Sequence, residues 1–84
     1  MTSMRVRVRL FASLREAAGC SEVELELPAK ATADEAWRRL AGEFPALASR
    51  RASLAVSVNR SYAGFDTALE DGDELAFIPP VSGG

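Results

Sequence analysis

The stretch that decides the fold is RVRVRL, residues 5–10, in which charged and apolar side chains alternate strictly. A period of two is typical of a β-strand with one buried face and one face in water. Val6, Val8 and Leu10 are therefore predicted to face a core. The three arginines between them are predicted to face solvent.

A second stretch with the same period is EVELEL, residues 22–27. Its valine and two leucines are predicted to face the same core, and its three glutamates to face solvent. An antiparallel pairing of the two stretches sets Arg9 opposite Glu22, Arg7 opposite Glu24 and Arg5 opposite Glu26. Each such pair contributes roughly 0.2–1 kcal/mol. Because the arginines are neutralised and the net charge is −2, we expect no nucleic-acid binding.

Two helices are predicted from local signals. Residues 13–19 suit a short helical turn closed by Gly19. Thr32 and Glu35 have the spacing of a capping box, which marks the start of the main helix. One face of that helix is apolar and carries Ala33, Ala36, Trp37, Leu40, Ala41 and Phe44. Pro45 is expected to end the helix at residue 43 or 44.

Three more strands are indicated in the second half of the chain. Residues 54–59 alternate again and predict a strand. Asp71-Gly72 is a turn signal, and residues 74–78 after it read as the last strand. A short extra strand is expected near Thr67–Leu69.

The resulting order of elements predicts an α+β fold of the ubiquitin-like β-grasp type. In this arrangement one main helix packs on one face of a mixed sheet, and the first and last strands are parallel neighbours. We expect residues 4–78 to form the β-grasp domain and residues 79–84 to form an extended C-terminal tail.

The tail, PPVSGG, indicates where the chemistry lies. Pro79 and Pro80 cannot continue a sheet ladder and favour an extended path. Glycine has no Cβ, so Gly83 and Gly84 can enter a channel too narrow for other residues. A free Gly84 carboxylate is a poor electrophile, but an ATP-consuming partner can convert it into an acyl-adenylate. Attack by sulfide or a persulfide then leaves a thiocarboxylate.

Two large apolar side chains are expected on the outer face of the sheet. In an alternating strand every second residue lies on the same face. Phe11 continues the odd-numbered, outward-facing positions of the arginines, and Ile78 is one position on from the inward-facing Phe77, so both are expected to face outward. Parallel neighbours place Phe11 and Ile78 at the same end of the sheet, from which the tail leaves. Large apolar side chains clustered in this way predict a docking patch.

Composition excludes several kinds of site. The chain has no histidine and one cysteine, Cys20, which excludes an internal disulfide and the usual zinc patterns. The acidic residues Asp71, Asp73 and Glu74 suit a charged turn better than a metal site. We therefore expect no bound metal or cofactor. No apolar run is long enough to span a membrane, and residues 1–4 lack the apolar core of a signal peptide, so a cytoplasmic protein is expected.

Several segments also carry a resemblance to a known family. They are Leu10-Phe11-Ala12 with Arg15-Glu16 and Gly19, the strand of residues 54–59, and the closing residues 71–84. On these residues the chain resembles the small subunits of molybdopterin synthase, which are ubiquitin-like sulfur carriers. The resemblance covers nearly the whole chain from Met4, and its most specific part is the closing segment.

The resemblance implies roles for particular residues. Gly84 would be adenylated by an activating enzyme of the ubiquitin-activating type, which uses ATP, and then converted to a thiocarboxylate. The tail that enters the large subunit would comprise Pro80, Val81, Ser82 and Gly83. The large subunit, in an expected heterotetramer, would use the sulfur to convert cyclic pyranopterin monophosphate into molybdopterin, so this chain would not be catalytic on its own. The docking positions of the family fall on Phe11, Tyr62 and Ile78.

Two other functions stay open on the sequence. A related carrier could deliver sulfur for thiamine, cysteine or transfer-RNA thiolation by the same chemistry, although the Pro-Pro before the tail favours molybdopterin. Alternatively, the domain could be a plain β-grasp interaction module with an incidental Gly-Gly. A blocked C-terminus separates these classes, because it would abolish carrier function and leave an interaction module intact.

Overall fold

The computed structural model of the chain describes residues 3–80. Its elements are β1 (Ser3–Leu10), α1 (Ala12–Ala18), β2 (Glu22–Pro28), α2 (Ala33–Glu43), a 3₁₀ helix (Pro45–Arg50), β3 (Ala55–Val58), β4 (Ser61–Ala63) and β5 (Glu74–Ile78). The strands form one mixed sheet in the order β2-β1-β5-β3-β4, with α2 packed on it. The predicted α+β, β-grasp architecture is confirmed. β1 begins one residue before the predicted domain boundary at residue 4.

The alternation in β1 sorts its side chains as predicted. Met4, Val6, Val8 and Leu10 are buried, and the residues between them are exposed. These four pack against the apolar face of α2 in a single core that also includes Leu25, Leu27, Trp37, Leu40, Leu75 and Phe77. The ring of Phe77 is fully buried and meets Trp37 edge to face, with ring centroids 5.0 Å apart. Such aromatic pairs add stabilisation beyond their buried area.

The antiparallel pairing of β1 with β2 has the predicted register, with Arg9 opposite Glu22 and Arg5 opposite Glu26. The ion pairs, however, run diagonally. Arg5 Nε lies 3.8 Å from Glu24 Oε1, and Arg7 Nε lies 3.8 Å from Glu22 Oε1. All four side chains are more than half exposed, so these pairs contribute little to stability. Arg9 contacts Glu74 on β5 instead.

The fourth strand was predicted in the wrong place. It is β4, Ser61–Ala63, and Thr67–Leu69 forms no strand of the sheet. The reason lies at the start of α2, whose first N–H groups have no partner within the helix. Ala33 N donates to the Thr67 carbonyl and Asp34 N to the Phe65 carbonyl. Ala68 forms an isolated antiparallel bridge with Thr32, in which Leu69 N donates to the Ala31 carbonyl at 2.9 Å. The segment therefore pairs with the residues at the start of α2 and not with a strand of the sheet.

The helix ends follow the predicted signals. The Thr32 hydroxyl accepts a hydrogen bond from Glu35 N at 3.3 Å, and Glu35 Oε1 accepts one from Thr32 N at 3.4 Å, which completes the capping box. α2 stops at Glu43, and Pro45 begins the 3₁₀ helix. Gly19 closes α1 with a φ of +78°, a left-handed conformation that glycine adopts without strain. Within residues 3–80 no helix is long and apolar enough to cross a membrane.

An ion-pair cluster ties α2 to the segments that follow it. Asp34 Oδ2 accepts from Arg38 at 2.7 Å and Oδ1 accepts from Arg51 at 3.1 Å. The Arg51 guanidinium also lies over the Phe65 ring, 3.4 Å from its centroid, and Phe65 stacks on Phe77. Hydrogen bonding from Arg38, and then from Arg51, lowers the pKa of Asp34 in spite of the desolvation that would raise it.

We predict that Asp34→Asn lowers the stability of the protein by about 1 kcal/mol at pH 7, from lost ion pairs and lost charge in the first helical turn. Since the folded-state pKa of Asp34 lies below the unfolded value, its stabilisation is complete above the unfolded pKa and disappears as pH falls through the folded pKa. The stability difference between wild type and variant should hold from pH 5 to 8 and shrink below about pH 3.9.

The measurement is thermal or urea unfolding at stepped pH. Asp66→Asn is the matched control, because Asp66 is exposed and forms no ion pair among the described residues. A difference that stays constant down to pH 2.5 would contradict the assignment.

Candidate functional site

The three residues predicted to bind a partner line a single groove. Phe11, Tyr62 and Ile78 border a depression of about 320 Å³ on the face of the sheet opposite α2. Phe11 is 38% exposed and Tyr62 is 81% exposed, and they are the large apolar side chains that stand most open to solvent among residues 3–80. The rest of the lining is Arg9, Ser57, Arg60, Glu74 and Ala76. We call this depression the outer groove.

Strand pairing brings Phe11 and Ile78 together. β1 and β5 run parallel, with Leu10 opposite Phe77 at the end of the ladder. Phe11 follows Leu10 and Ile78 follows Phe77, so both come to the same end with their side chains on the outer face. Ile78 also pairs with Ala55 on β3, which fixes its position from the other side.

The hairpin of β3 and β4 supplies Tyr62, which pairs with Ser57. Its two-residue loop is Asn59-Arg60, with φ of +51° and +71°, and positive φ at both loop positions is what the type I′ hairpin requires. Asn59 ties the loop to β5. Its Nδ2 donates to Asp73 Oδ1 at 2.9 Å, and its Oδ1 accepts from Glu74 N at 2.9 Å.

One end of the outer groove is charged. This charged end was not predicted from the sequence. Glu74 lies between two guanidinium groups, with Arg9 Nη1 at 3.8 Å and Arg60 Nε at 3.5 Å from its two carboxylate oxygens. The Arg9 guanidinium also lies 5.6 Å from the centroid of the Phe11 ring, within cation–π range. The outward parity of Arg9 was a usable signal. The position of Arg60 depends on the hairpin, which was not predicted.

The tail begins beside this groove. β5 ends at Ile78, and Pro79 and the exposed Pro80 follow it. The remaining predicted tail residues, Val81, Ser82, Gly83 and Gly84, lie outside the described residues. Pro79 and Pro80 border a second, smaller depression of about 240 Å³ with Ser13, Leu14, Arg50, Ala52 and Leu54. The outer groove and the origin of the tail therefore share one end of the sheet.

The acidic residues of the β5 turn have structural partners. Asp71 Oδ1 accepts from Arg5 N at 2.8 Å, and Asp73 Oδ2 accepts from Glu70 N at 2.8 Å. Among residues 3–80 no group of three or more His, Cys, Asp or Glu side chains is placed to hold a metal ion. Cys20 is a half-buried free thiol.

The sequence matches the ThiS family over residues 8–84. The chain belongs to the ThiS family. Among the members with curated names, the molybdopterin synthase sulfur carrier subunit of Arabidopsis thaliana is 34% identical over 83 residues, which cover 99% of this chain and 86% of that protein. The resemblance to molybdopterin synthase small subunits is thereby confirmed.

Two solved structures share the fold of this chain. The crystal structure of small archaeal modifier protein 1 (SAMP1) from Haloferax volcanii is 38% identical, with a TM-score of 0.88 over 95% of this chain and 99% of that one. A second neighbour belongs to a complex of subunits 1 and 2 of molybdopterin-converting factor from Helicobacter pylori. It is 26% identical, with a TM-score of 0.66 over 96% of this chain and 100% of that one.

We predict that Phe11→Ala and Ile78→Ala weaken binding to a molybdopterin synthase large subunit by roughly 1–4 kcal/mol, the range typical of buried interface anchors. Both should unfold close to the wild-type temperature, because their side chains lie on the outer face. Val8→Ala is the control for which we expect the opposite result, a loss of stability. Val8 is fully buried, so its truncation should lower stability by roughly 0.5–3 kcal/mol.

Calorimetric titration and thermal melts on the same preparations separate the two effects. If the outer-face variants lost as much thermal stability as Val8→Ala while binding normally, Phe11 and Ile78 would be core residues and not docking residues.

Proposed function

We propose that this member of the ThiS family is the sulfur carrier subunit of a molybdopterin synthase. The observation that carries the proposal is similarity over almost the full chain to proteins named as that subunit. The geometry agrees with it, since the outer groove lies at the end of the sheet where the tail begins. A carrier needs this combination of a docking surface and a reactive terminus close together.

The proposed chemistry takes place at the Gly84 carboxylate. One carboxylate oxygen attacks the α-phosphate of ATP on an activating enzyme of the ubiquitin-activating type, forming an acyl-adenylate and releasing pyrophosphate. Sulfide then attacks the acyl carbon and AMP leaves, and the product is a thiocarboxylate. If the sulfur comes from a protein persulfide, its outer sulfur attacks and a second thiol of the donor then cleaves the acyl disulfide, which releases the thiocarboxylate and leaves a disulfide on the donor. ATP is a substrate of the activating enzyme, and this chain needs no cofactor of its own.

Docking and delivery use different parts of the chain. The outer groove binds the large subunit, and the tail carries the sulfur into its active site, where cyclic pyranopterin monophosphate is converted to molybdopterin. The six residues after Ile78 span at most about 20 Å when extended. The receiving site must therefore lie within about that distance of the docked groove. The chain acts as a cytoplasmic carrier within a heterotetramer and supplies no catalytic side chain.

A second candidate function follows from the similarity to SAMP1, which is named a modifier protein. An acyl-adenylate at Gly84 can also be captured by the amine of a lysine, which gives an isopeptide bond to another protein in place of a thiocarboxylate. The product distinguishes the two functions, since a carrier gains only sulfur whereas a modifier becomes covalently attached to a second chain. Sulfur transfer to another pathway would charge Gly84 in the same way but would fail with the molybdopterin synthase large subunit.

We predict that incubation with ATP, an activating enzyme and a sulfur source exchanges one oxygen of Gly84 for sulfur. Intact-mass spectrometry measures this exchange, and fragmentation places it at the terminal residue. Deletion of Gly84, or addition of one residue after it, should eliminate the shift because the reactive carbonyl is lost or displaced. An extended protein that supported molybdopterin formation without being trimmed would contradict the terminal mechanism.

We also predict that Gly83→Ala folds normally but is charged or discharged poorly. The added methyl group either clashes in a narrow channel or excludes a backbone conformation open only to glycine. A displacement of the reacting atom by about 1 Å can slow the transfer about a hundredfold. The measurements are a thermal melt, the charging assay and single-turnover conversion with the large subunit. Wild-type charging and turnover in Gly83→Ala would show that only Gly84 is required.

A further inference from the structure

The charged end of the outer groove contains more cations than anions. Among residues 3–80, Glu74 is the one carboxylate that lines the groove, and it faces the guanidinium groups of Arg9 and Arg60. Its oxygens lie 3.8 Å from Arg9 Nη1 and 3.5 Å from Arg60 Nε, whereas a charge-assisted hydrogen bond is about 2.7–2.9 Å long. The lining formed by the described residues therefore has one excess positive charge, although the whole chain has a net charge of −2.

The apolar residues and the excess charge lie in the same groove, so a partner that binds the apolar residues must also accommodate the charge. Phe11, Tyr62 and Ile78 lie beside the two arginines in one continuous depression, and the Arg9 guanidinium lies 5.6 Å from the centroid of the Phe11 ring. A partner that covers the apolar residues also removes water from the guanidinium groups. An uncompensated charge in such a place is strongly unfavourable. A purely apolar partner surface would therefore leave one guanidinium buried without an anion.

We propose that the partner surface presents an aspartate or glutamate carboxylate that binds between Arg9 and Arg60. The resulting cluster has two guanidinium groups and two carboxylates, and its charge is balanced. This inference rests on the proposed function, because it takes the partner to be the molybdopterin synthase large subunit. Its consequence is specificity: a related large subunit with a neutral or basic residue at that position would be rejected by the unbalanced charge.

The first test measures the affinity of the large subunit for Arg60→Gln at several salt concentrations. Glutamine keeps an unbranched side chain at this positive-φ position and removes the charge. We expect Arg60→Gln to weaken binding about tenfold at low salt, since hydrogen bonds to charged groups are among the stronger ones. The salt dependence of binding should also become shallower than that of wild type. The matched control is Arg39→Gln on α2, an exposed arginine remote from the outer groove, which should change neither quantity.

The second test locates the carboxylate. The chain has a single lysine, Lys30, so Lys30→Arg removes the only competing side-chain amine. In that background Arg60→Lys keeps the charge and places a unique amine in the groove. In the free carrier a zero-length carbodiimide can link this amine to Glu74 of the same chain. In the complex it should also link the amine to an aspartate or glutamate of the large subunit, and peptide mass spectrometry distinguishes the two links. Arg39→Lys in the same background should give no such link.

The outcomes separate this inference from the proposed function. If wild type binds no large subunit, the proposed function fails. If wild type binds and Phe11→Ala weakens binding, but Arg60→Gln keeps the wild-type affinity and salt dependence, the carboxylate inference is overturned alone. It is also overturned if Arg60→Gln lowers the melting temperature but leaves binding unchanged. Arg60 would then stabilise the fold through its ion pair with Glu74 and would not bind the partner. Weakened binding together with a link to a partner carboxylate supports it.

Discussion

The parallel pairing of β1 with β5 is the contact on which the rest of the structure depends. It joins the two ends of the described chain at the centre of the sheet, with Leu10 opposite Phe77. Both residues are buried against α2, so the same pairing builds the core on one face and the outer groove on the other. It also brings the start of the tail beside Phe11. A slip of this register by one residue would turn Ile78 into the core and Phe77 into solvent.

Much of this arrangement could be predicted because its signals are local and periodic. The alternation in residues 5–10 and 22–27 gave the inward-facing residues and the register of the β1–β2 pair. Alternation alone placed Phe11 and Ile78 on one surface, and the family resemblance named Tyr62 with them. In the structure all three line the same groove. The capping box of Thr32 and Glu35 marked the start of α2 because both of its hydrogen bonds lie within four residues.

The errors occur where distant segments compete for hydrogen-bonding groups. Thr67–Leu69 was predicted as a strand of the sheet, but its backbone pairs with the residues at the start of α2 through the isolated bridge of Ala68 with Thr32. The sequence pattern of residues 67–69 does not show which distant segment they pair with. The Asn59-Arg60 hairpin was missed for a related reason, because Asn59 is fixed by Asp73 and Glu74 from the next strand. Since Arg60 is placed by that hairpin, the sequence could indicate the outward-facing Arg9 but not the pairing of two guanidinium groups at the charged end of the outer groove.

The central place of β5 has a consequence for how the protein is made. During synthesis β1 to β4 leave the ribosome before β5, and the contacts that close the sheet join residues as far apart as Arg5 and Asp71, 66 positions along the chain. Such long-range pairing forms late, because loop closure must precede it. The outer groove takes its lining from β1, β5 and the β3–β4 hairpin, so a nascent chain has no binding surface until residue 78 has emerged. Incomplete chains would thus be unable to occupy the partner, and assembly is coupled to the completion of the sheet.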